Sequence, residues 1–403
     1  MARRKFRGIE RSRAMLQRSD ALIVRGCQGH KRNHEMLARG YPVFAARASG
    51  CRFWDIDGNE YVDYLLGFGP ILLGYDDPAV RAAVRRQMRR GEIYSTAHPK
   101  EVEVAERLVA LLPGAEMLAF FIGGSAAASG AVRLARAYTG RDVIIRCGYH
   151  GWHDWTQPGG AGVPAAVGAL TLNFPYGDLG ALEDRFRQAD GRAACVIVET
   201  VQQNGPPPGF LQGCVDLAHR YGALAVFDEI KVGFRVAFGG AAEHYNVRPD
   251  LAVFGKACCN GYPGSFVVGR REVLSSDRCQ AAWLAATFHC DLLSLVALET
   301  VIDEMQRRDG IAYQWKLGAR LREGINRACE EAGLGYRLVG LAPMPRPSLP
   351  KEDEDRCLAM LRGCLARGFY LHPHHVMFLS LAHTMEVVEA TIAAVRESIA
   401  DLK

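Results

Sequence analysis

ALAVFDEIKVGF, residues 223–234, runs five apolar residues into an acidic pair and then a lysine. A short apolar run with no polar alternation reads as a strand covered on both faces, the habit of parallel sheets. Asp228 closes that run, where burial is expected. A buried carboxylate is costly unless a positive group meets it. Lys231 is the nearest candidate in sequence. The alternative is a cation that the chain itself does not supply.

The same pattern recurs along the chain. DVIIRCG (142–148), AACVIVET (193–200) and DLAVFGKA (250–257) read as strands, and EMLAFFIG (116–123) as a shorter one. Between them, SAAASGAVRLARAYTG (125–140), DLGALEDRFRQA (178–189) and GCVDLAHRYG (213–222) read as helices. Strands alternating with helices predict an α/β fold with a mostly parallel, doubly wound sheet over roughly residues 60–300. Upstream, residues 8–40 read as a helix and then an irregular arm. GCRFWDIDGNEYVDYLLG (50–67) reads as a hairpin turning at Asp57-Gly58-Asn59. A helix is expected over about 77–91, capped by Asp77 with Pro78 in its first turn. A second, EVEVAERLVALL (101–112), follows. A long helix starts near 291, and the remainder has the mixed helices and strands of a smaller domain. The expected division is 1–60 (arm and part of a small α+β domain), 61–300 (large domain) and 301–403 (C-terminal small domain). LAPMPRPSLPKEDED (341–355) is Pro-rich and is expected to be a surface loop.

Composition narrows the class. Of 403 residues, 49% are hydrophobic and 23% charged, which is ordinary for a soluble protein with a sizeable core. No apolar stretch reaches the roughly 18 residues of a membrane span. The first residues, MARRKFRGIERSR, lack the apolar segment of a secretory signal, so a cytoplasmic location and no membrane partner are expected. Residues 1–40 hold 11 Lys/Arg and 3 Asp/Glu, a local +8 that leaves −3 for the rest of the +5 total. No RNA-binding aromatic pattern or zinc-finger spacing accompanies this arm. It is expected to be solvated or packed on a partner subunit, without a nucleic-acid partner. The 12 cysteines include no C-x-x-C, so they are expected to be reduced, mostly buried thiols, and no metal is expected.

Ligands of open α/β sheets sit at the carboxyl ends of the strands. At one such end, FIGGSAAAS (121–129) passes from strand through Gly123-Gly124-Ser125 into a helix, which suits an anion. A Gly-Gly turn with a Ser cap would explain the same residues. CGYHGWHDW (147–155) groups Tyr149, His150, Trp152, His153 and Trp155, a patch suited to stacking on a planar ring or to simple packing. Glu199, Asp228 and Lys256 end or closely follow three strands. Two acids so placed would repel unless a cation intervenes, and a lysine held there could lose its proton and attack carbonyls.

Together these stretches resemble the class III aminotransferase family of pyridoxal-phosphate (PLP) enzymes, fold type I, and most of all its glutamate-1-semialdehyde aminomutase-like branch. The likeness runs from about Arg25 to the C-terminus. It is carried by WDIDGNEYVDY, AVRLARAYTGRDVI, YHGWHD, FDEIKVGFR, PDLAVFGKA, ATFH and YLHPHHVMFLSLAHT, in the family's order and spacing. The resemblance implies that Lys256 would hold PLP as a Schiff base and move the substrate proton. Asp228 would pair with the pyridine nitrogen. Ile230 and Tyr149 would lie on the two faces of the ring, Gly124 and Ser125 would hold the phosphate, and Glu199 would order the pocket. Thr287 would reach the phosphate of a neighbouring subunit, which implies a homodimer with shared sites. Arg32 would bind a substrate carboxylate, and Phe68 would line the substrate pocket.

The chain departs from the family pattern in four places. Ala126 stands where an acid is usual after the cradle. Lys231 stands where Met or Gln is usual. Cys290-Asp291 replaces Gly-Asn, and the segment after Tyr149 is short. The expected activity is transamination from an amino donor to a ketone or aldehyde. The GCQGHKR arm and the YHGWHDW motif look like specialised biosynthetic members, so amino sugars, aminocyclitols or aminoglycosides of antibiotic biosynthesis are the expected acceptors. The same fold also supports aminomutase, epimerase or elimination chemistry, and a non-catalytic PLP-fold subunit is a third reading.

Overall fold

The computed structural model describes residues 6–28 and 33–402. Among these, the strands in chain order are β1 (Ala45–Ser49), β2 (Arg52–Asp55), β3 (Glu60–Asp63), β4 (Met117–Ile122), β5 (Val143–Cys147), β6 (Thr171–Asn173), β7 (Ala193–Glu199), β8 (Leu224–Asp228), β9 (Leu251–Phe254), β10 (Gly264–Gly269), β11 (Arg337–Val339), β12 (Arg346–Ser348) and β13 (Phe369–Tyr370). The chain divides into two compact units. One comprises residues 79–311, the other residues 1–78 with 312–403. The sequence reading had set its divisions at 60 and 300.

The larger unit is built on a seven-stranded sheet of order β4-β10-β9-β8-β7-β5-β6. All neighbours from β9 to β6 pair in parallel. Only β10 runs antiparallel, against β4 on one side and β9 on the other. The central strands carry the expected apolar runs: Val196, Ile197, Ala225, Val226 and Phe227 are all fully buried. Each such side chain contributes about 1.5–3 kcal/mol of burial when large, so these strands anchor the sheet. The helix Gly124–Thr139 packs on it through Ala127, Ala128, Ala131 and Ala135, and these small side chains allow a close approach. Gly140 ends that helix with φ 70°, a left-handed cap that glycine adopts without strain.

Two strands of this sheet escaped the sequence reading. Thr171–Asn173 is too short to show a pattern. GSFVVG (264–269) holds only three consecutive large apolar residues between glycines.

In the smaller unit, the hairpin β2–β3 forms at the expected turn, with β1 and β13 on its flanks in the order β1-β2-β3-β13. Gly58 takes φ 89° in the turn. The Asp55 carboxylate accepts the Asn59 N–H at 2.7 Å and its Nδ2 at 2.9 Å. The Pro-rich segment 341–355 is not the expected surface loop. Its first half is buried from Ala342 to Pro345, and Arg346–Ser348 forms β12 against β11. Proline lacks a donor but keeps its carbonyl. Pro345 O accepts the Met377 N–H at 2.8 Å and Pro343 O that of Leu379 at 3.3 Å, so the prolines themselves help tie the segment inward.

The 12 cysteines are free thiols, all buried except the half-buried Cys27 and Cys290. No helix among the described residues is long and apolar enough to cross a membrane.

Gly130 shows how tightly the helix after β4 is seated. A Cβ there would meet the Phe121 ring at 2.2 Å. Gly130→Ala should gain about 0.5–1 kcal/mol of helix propensity but cost about 1–3 kcal/mol in overpacking. The expected outcome is net destabilisation, read as a lower urea midpoint with an unchanged slope.

Candidate active site

Strand register brings the predicted acids together. Glu199 lies opposite Asp228 at the ends of β7 and β8, and Asp228 lies opposite Val253 on β9. From β9 the chain passes through Gly255, an extended residue, into Lys256, which opens a short helical turn, Lys256–Cys259. Lys256 has φ 51°, a left-handed conformation that costs a non-glycine residue about 1–2 kcal/mol. The lysine therefore faces the strand ends from a backbone held against its own preference.

Each acid has its own partner. Asp228 Oδ2 lies 2.7 Å from His150 Nδ1, both side chains being buried, and Oδ1 accepts the Ile230 N–H at 3.1 Å. His150 Nε2 faces the Cys147 carbonyl at 3.1 Å. Both ring nitrogens thus face acceptors, and a neutral imidazole can donate to only one of them. Lys231 turns away from Asp228 and forms an ion pair with Glu199, whose other oxygen accepts the Tyr149 N–H at 3.3 Å. Burial works against the Glu199 charge. The Lys231 ammonium, the Tyr149 amide and His150 outweigh it and hold this carboxyl below its ordinary range. Burial pushes the Lys256 ammonium below the ordinary lysine value; Lys231 and Arg235 add to this, while Asp228 and Glu199 oppose it.

The Gly123-Gly124-Ser125 turn leads into the helix Gly124–Thr139 with no side chain capping it. The first amides of any helix have no partner within it, so those of Gly124 and Ser125 are donors for an anion. The turn is held from behind by Gly123 N–H, which donates to Pro263 O at 2.9 Å. Two glycines keep the surroundings narrow. A Cβ on Gly124 would meet Ile230 Cδ1 at 2.8 Å, and one on Gly151 would meet Ser125 Oγ at 2.2 Å.

The histidines of the YHGWHDW segment do different work. His150 goes inward to Asp228, whereas His153 Nδ1 lies 2.7 Å from Ser129 Oγ, which also accepts Trp155 Nε1–H at 2.8 Å. Tyr149 is 58% exposed. Thr287 lies in an exposed loop of the same unit. Phe68 belongs to the other unit, with φ 69° and its ring edge-on to His375 at 5.0 Å. Arg32 lies outside the described residues.

Two functional contacts escaped the sequence reading. One is His150 as the partner of Asp228. The other is Glu229, the second acid of the quoted pair. It is buried, accepts the Ala241 and Ala242 amides at 2.9 Å, and takes the Thr200 hydroxyl at 3.0 Å. Burial pushes its carboxyl up to about 7 against those hydrogen bonds.

A buried, oriented carboxylate, a lysine driven toward its free amine and a glycine-lined cradle of amides form a donor set that fits PLP. In such a fit the cradle would take the phosphate, Asp228 a protonated ring nitrogen, and Lys256 the aldehyde.

Comparisons with known proteins agree with this chemistry. The family model "Aminotransferase class-III" matches residues 36–157 and 175–401. The 3-aminobutyryl-CoA aminotransferase of Cloacimonas acidaminovorans is 32% identical over 98% of both chains. The glutamate-1-semialdehyde 2,1-aminomutase of Sorangium cellulosum is 35% identical over 96% of both. Among solved structures, the PLP internal aldimine form of the FumI protein from Sphingopyxis sp. MTA144 superposes with a TM-score of 0.92 at 30% identity, covering 98% of this chain and 96% of that one.

Gly151→Ala tests the cradle. The added Cβ would crowd Ser125 from φ 112°, where only glycine is at ease. PLP affinity of the cofactor-free protein, followed by fluorescence quenching, should fall about tenfold or more, equivalent to roughly 1.4 kcal/mol. Unaltered affinity would remove Ser125 from the cradle.

Proposed function

The chain belongs to the class III aminotransferase family, and on that footing we propose that it is a PLP-dependent aminotransferase that transfers an amino group to a ketone or aldehyde. The observation that carries this reading is the convergence of Glu199, Asp228 and Lys256 at the ends of three adjacent strands, with burial holding Lys256 toward its free amine. PLP, when bound, supplies the electron sink that makes the proton on the substrate's amine-bearing carbon removable.

The residues divide the remaining work. Lys256 Nζ is the proposed attachment point and the base that takes and returns that proton. Asp228, held by His150 and the Ile230 amide, keeps a proton on the ring nitrogen. Ile230 and Tyr149 flank the ring, Gly124 and Ser125 bind the phosphate through the helix start, and Glu199 orders the pocket edge through Tyr149 N–H. Phe68 and Arg32 are proposed substrate contacts from the resemblance alone.

Transamination is preferred over the aminomutase reaction on the short segment after Tyr149, a reading that rests on the resemblance. The amino sugars, aminocyclitols or aminoglycosides of specialised biosynthesis remain the proposed acceptors, supported by the GCQGHKR and YHGWHDW stretches. A β-amino acyl thioester is the second reading, supported by the likeness to the 3-aminobutyryl-CoA enzyme.

A homodimer and a cytoplasmic setting belong to the same proposal. Trp283 and Phe288, on either side of Thr287, are 77% and 58% exposed. Aromatic rings so placed favour a partner surface, and a second copy would bring Thr287 to the phosphate.

Purified protein should be yellow, and Lys256→Ala should lose both that colour and activity. An amino donor alone should shift the wild-type spectrum to that of pyridoxamine phosphate. Screening amino sugars against β-amino acyl thioesters then assigns the acceptor. Turnover of one amino substrate with no such half-reaction would instead indicate mutase, epimerase or lyase chemistry. For shared sites, mixing inactive Lys256→Ala with a weakened Thr287→Val should restore activity in hybrids that carry one intact site. Independent sites would give no gain on mixing.

A further inference from the structure

Lys231 is the charge that the family resemblance leaves without a role, and its environment gives it one. It follows Asp228 by three positions on the turn that leaves β8, yet it pairs with Glu199 at the end of β7. Both side chains are largely buried, so the pair lies among the strand ends rather than in open solvent. Ile230, its neighbour in sequence, packs against the Gly124 position of the cradle. A Cβ on Gly255, the residue before Lys256, would also lie 3.6 Å from Ile230 Cγ2, so the turn that carries Lys231 runs beside the start of the Lys256 segment.

We infer that Lys231 is a positioning residue for Lys256, setting, through its charge and through Glu199, the pH range in which Lys256 is a free amine. The inference rests on the proposed role of Lys256 in holding PLP.

The charged groups whose fields act on Lys256 are Lys231, Asp228, Glu199 and Arg235. The two cations favour the neutral amine and the two carboxylates favour the ammonium. Asp228 is turned toward His150 and the Ile230 amide. Glu199 is held by Lys231 and Tyr149 N–H. Lys231 thus acts twice. Its charge repels a proton on Lys256, and its pairing keeps the Glu199 carboxylate from attracting one. With Met at this position both effects are lost together; with Gln, which can still donate to Glu199, only the charge is lost. Each loss favours a proton on Lys256 while Glu199 is ionised.

The chemical consequence is practical. A lysine must be unprotonated to attack the PLP aldehyde and to take a proton from substrate. A wall cation extends that state to lower pH without occupying the space of the reacting groups.

The test reads Lys256 itself, in protein freed of PLP. Brief labelling with acetic anhydride over a pH series, followed by peptide mass spectrometry, gives the midpoint at which Lys256 becomes reactive. The exposed Lys351 serves as internal reference. Lys231→Met should raise the midpoint by about one unit or more, that is, at least about tenfold in the protonation equilibrium. Lys231→Arg should stay near the wild type. Lys231→Met combined with Glu199→Gln should return toward it, because one attracting and one repelling charge leave together. If Lys231→Met does not fold, Lys231→Gln, which loses the charge but can still donate to Glu199, should show a smaller rise in the same direction. An unchanged or lowered midpoint in the neutral variants would overturn the inference. Failure of wild-type Lys256 to capture PLP would instead overturn the aminotransferase reading and leave the labelling result standing.

Discussion

Two carboxylates sit side by side at the ends of β7 and β8, nearly out of reach of water, and the site is arranged around that fact. Parallel pairing puts Glu199 opposite Asp228 whatever else the chain does. Like charges at that spacing in a poorly solvated place force one acid to take up a proton unless each has a cation. The chain answers with two separate pairings, His150 for Asp228 and Lys231 for Glu199. The two acids then do not compete for the same partner. Lys256 stays outside both ion pairs.

The central sheet was legible because β5, β7, β8 and β9 are apolar without interruption, and such runs have few other ways to be buried. The hairpin turn was legible because Asp57-Gly58 suits a reversal that few other dipeptides accept. β10 was not, since GSFVVG shows neither a long run nor an alternation, and its identity as a strand comes from the two neighbours it joins. Segment 341–355 was misread for the opposite reason. Its prolines suggested exposure, whereas their carbonyls hold the segment against the chain near Met377 and Leu379.

The site was legible in its residue types and less so in its pairings. Asp228, Glu199 and Lys256 stand out because polar groups at the ends of apolar strands need a reason to be there. Which partner serves which acid depends on strand order, and sequence does not state strand order. His150 follows β5, and Asp228 ends β8; only the arrangement β8-β7-β5 lets the histidine reach across the end of β7. Lys231 is the nearest cation to Asp228 along the chain, one of two partners the sequence left open. The turn after β8 instead directs it sideways, to the neighbouring strand. Glu229 shows the same limit. Its partners are the amides that start a short helix twelve residues later, a contact that no local pattern announces.

The single antiparallel strand has a consequence for how the molecule comes into being. β4 lies at the sheet edge and pairs only with β10, Met117 lying opposite Gly269. During synthesis β4 emerges early and has no partner until the chain has passed residue 269. The helix carrying Gly124 and Ser125 grows directly from β4 and cannot take its final seat sooner. Long-range pairings of this kind close late, because the intervening loop entropy must be overcome first. The cradle is thus out of step with the order of the chain. β5, β7, β8 and β9 can join as they appear, and the anion cradle, encoded before all of them, is completed last. A nascent chain arrested before residue 264 would carry Asp228 and Lys256 near their places and still lack an ordered seat for a phosphate.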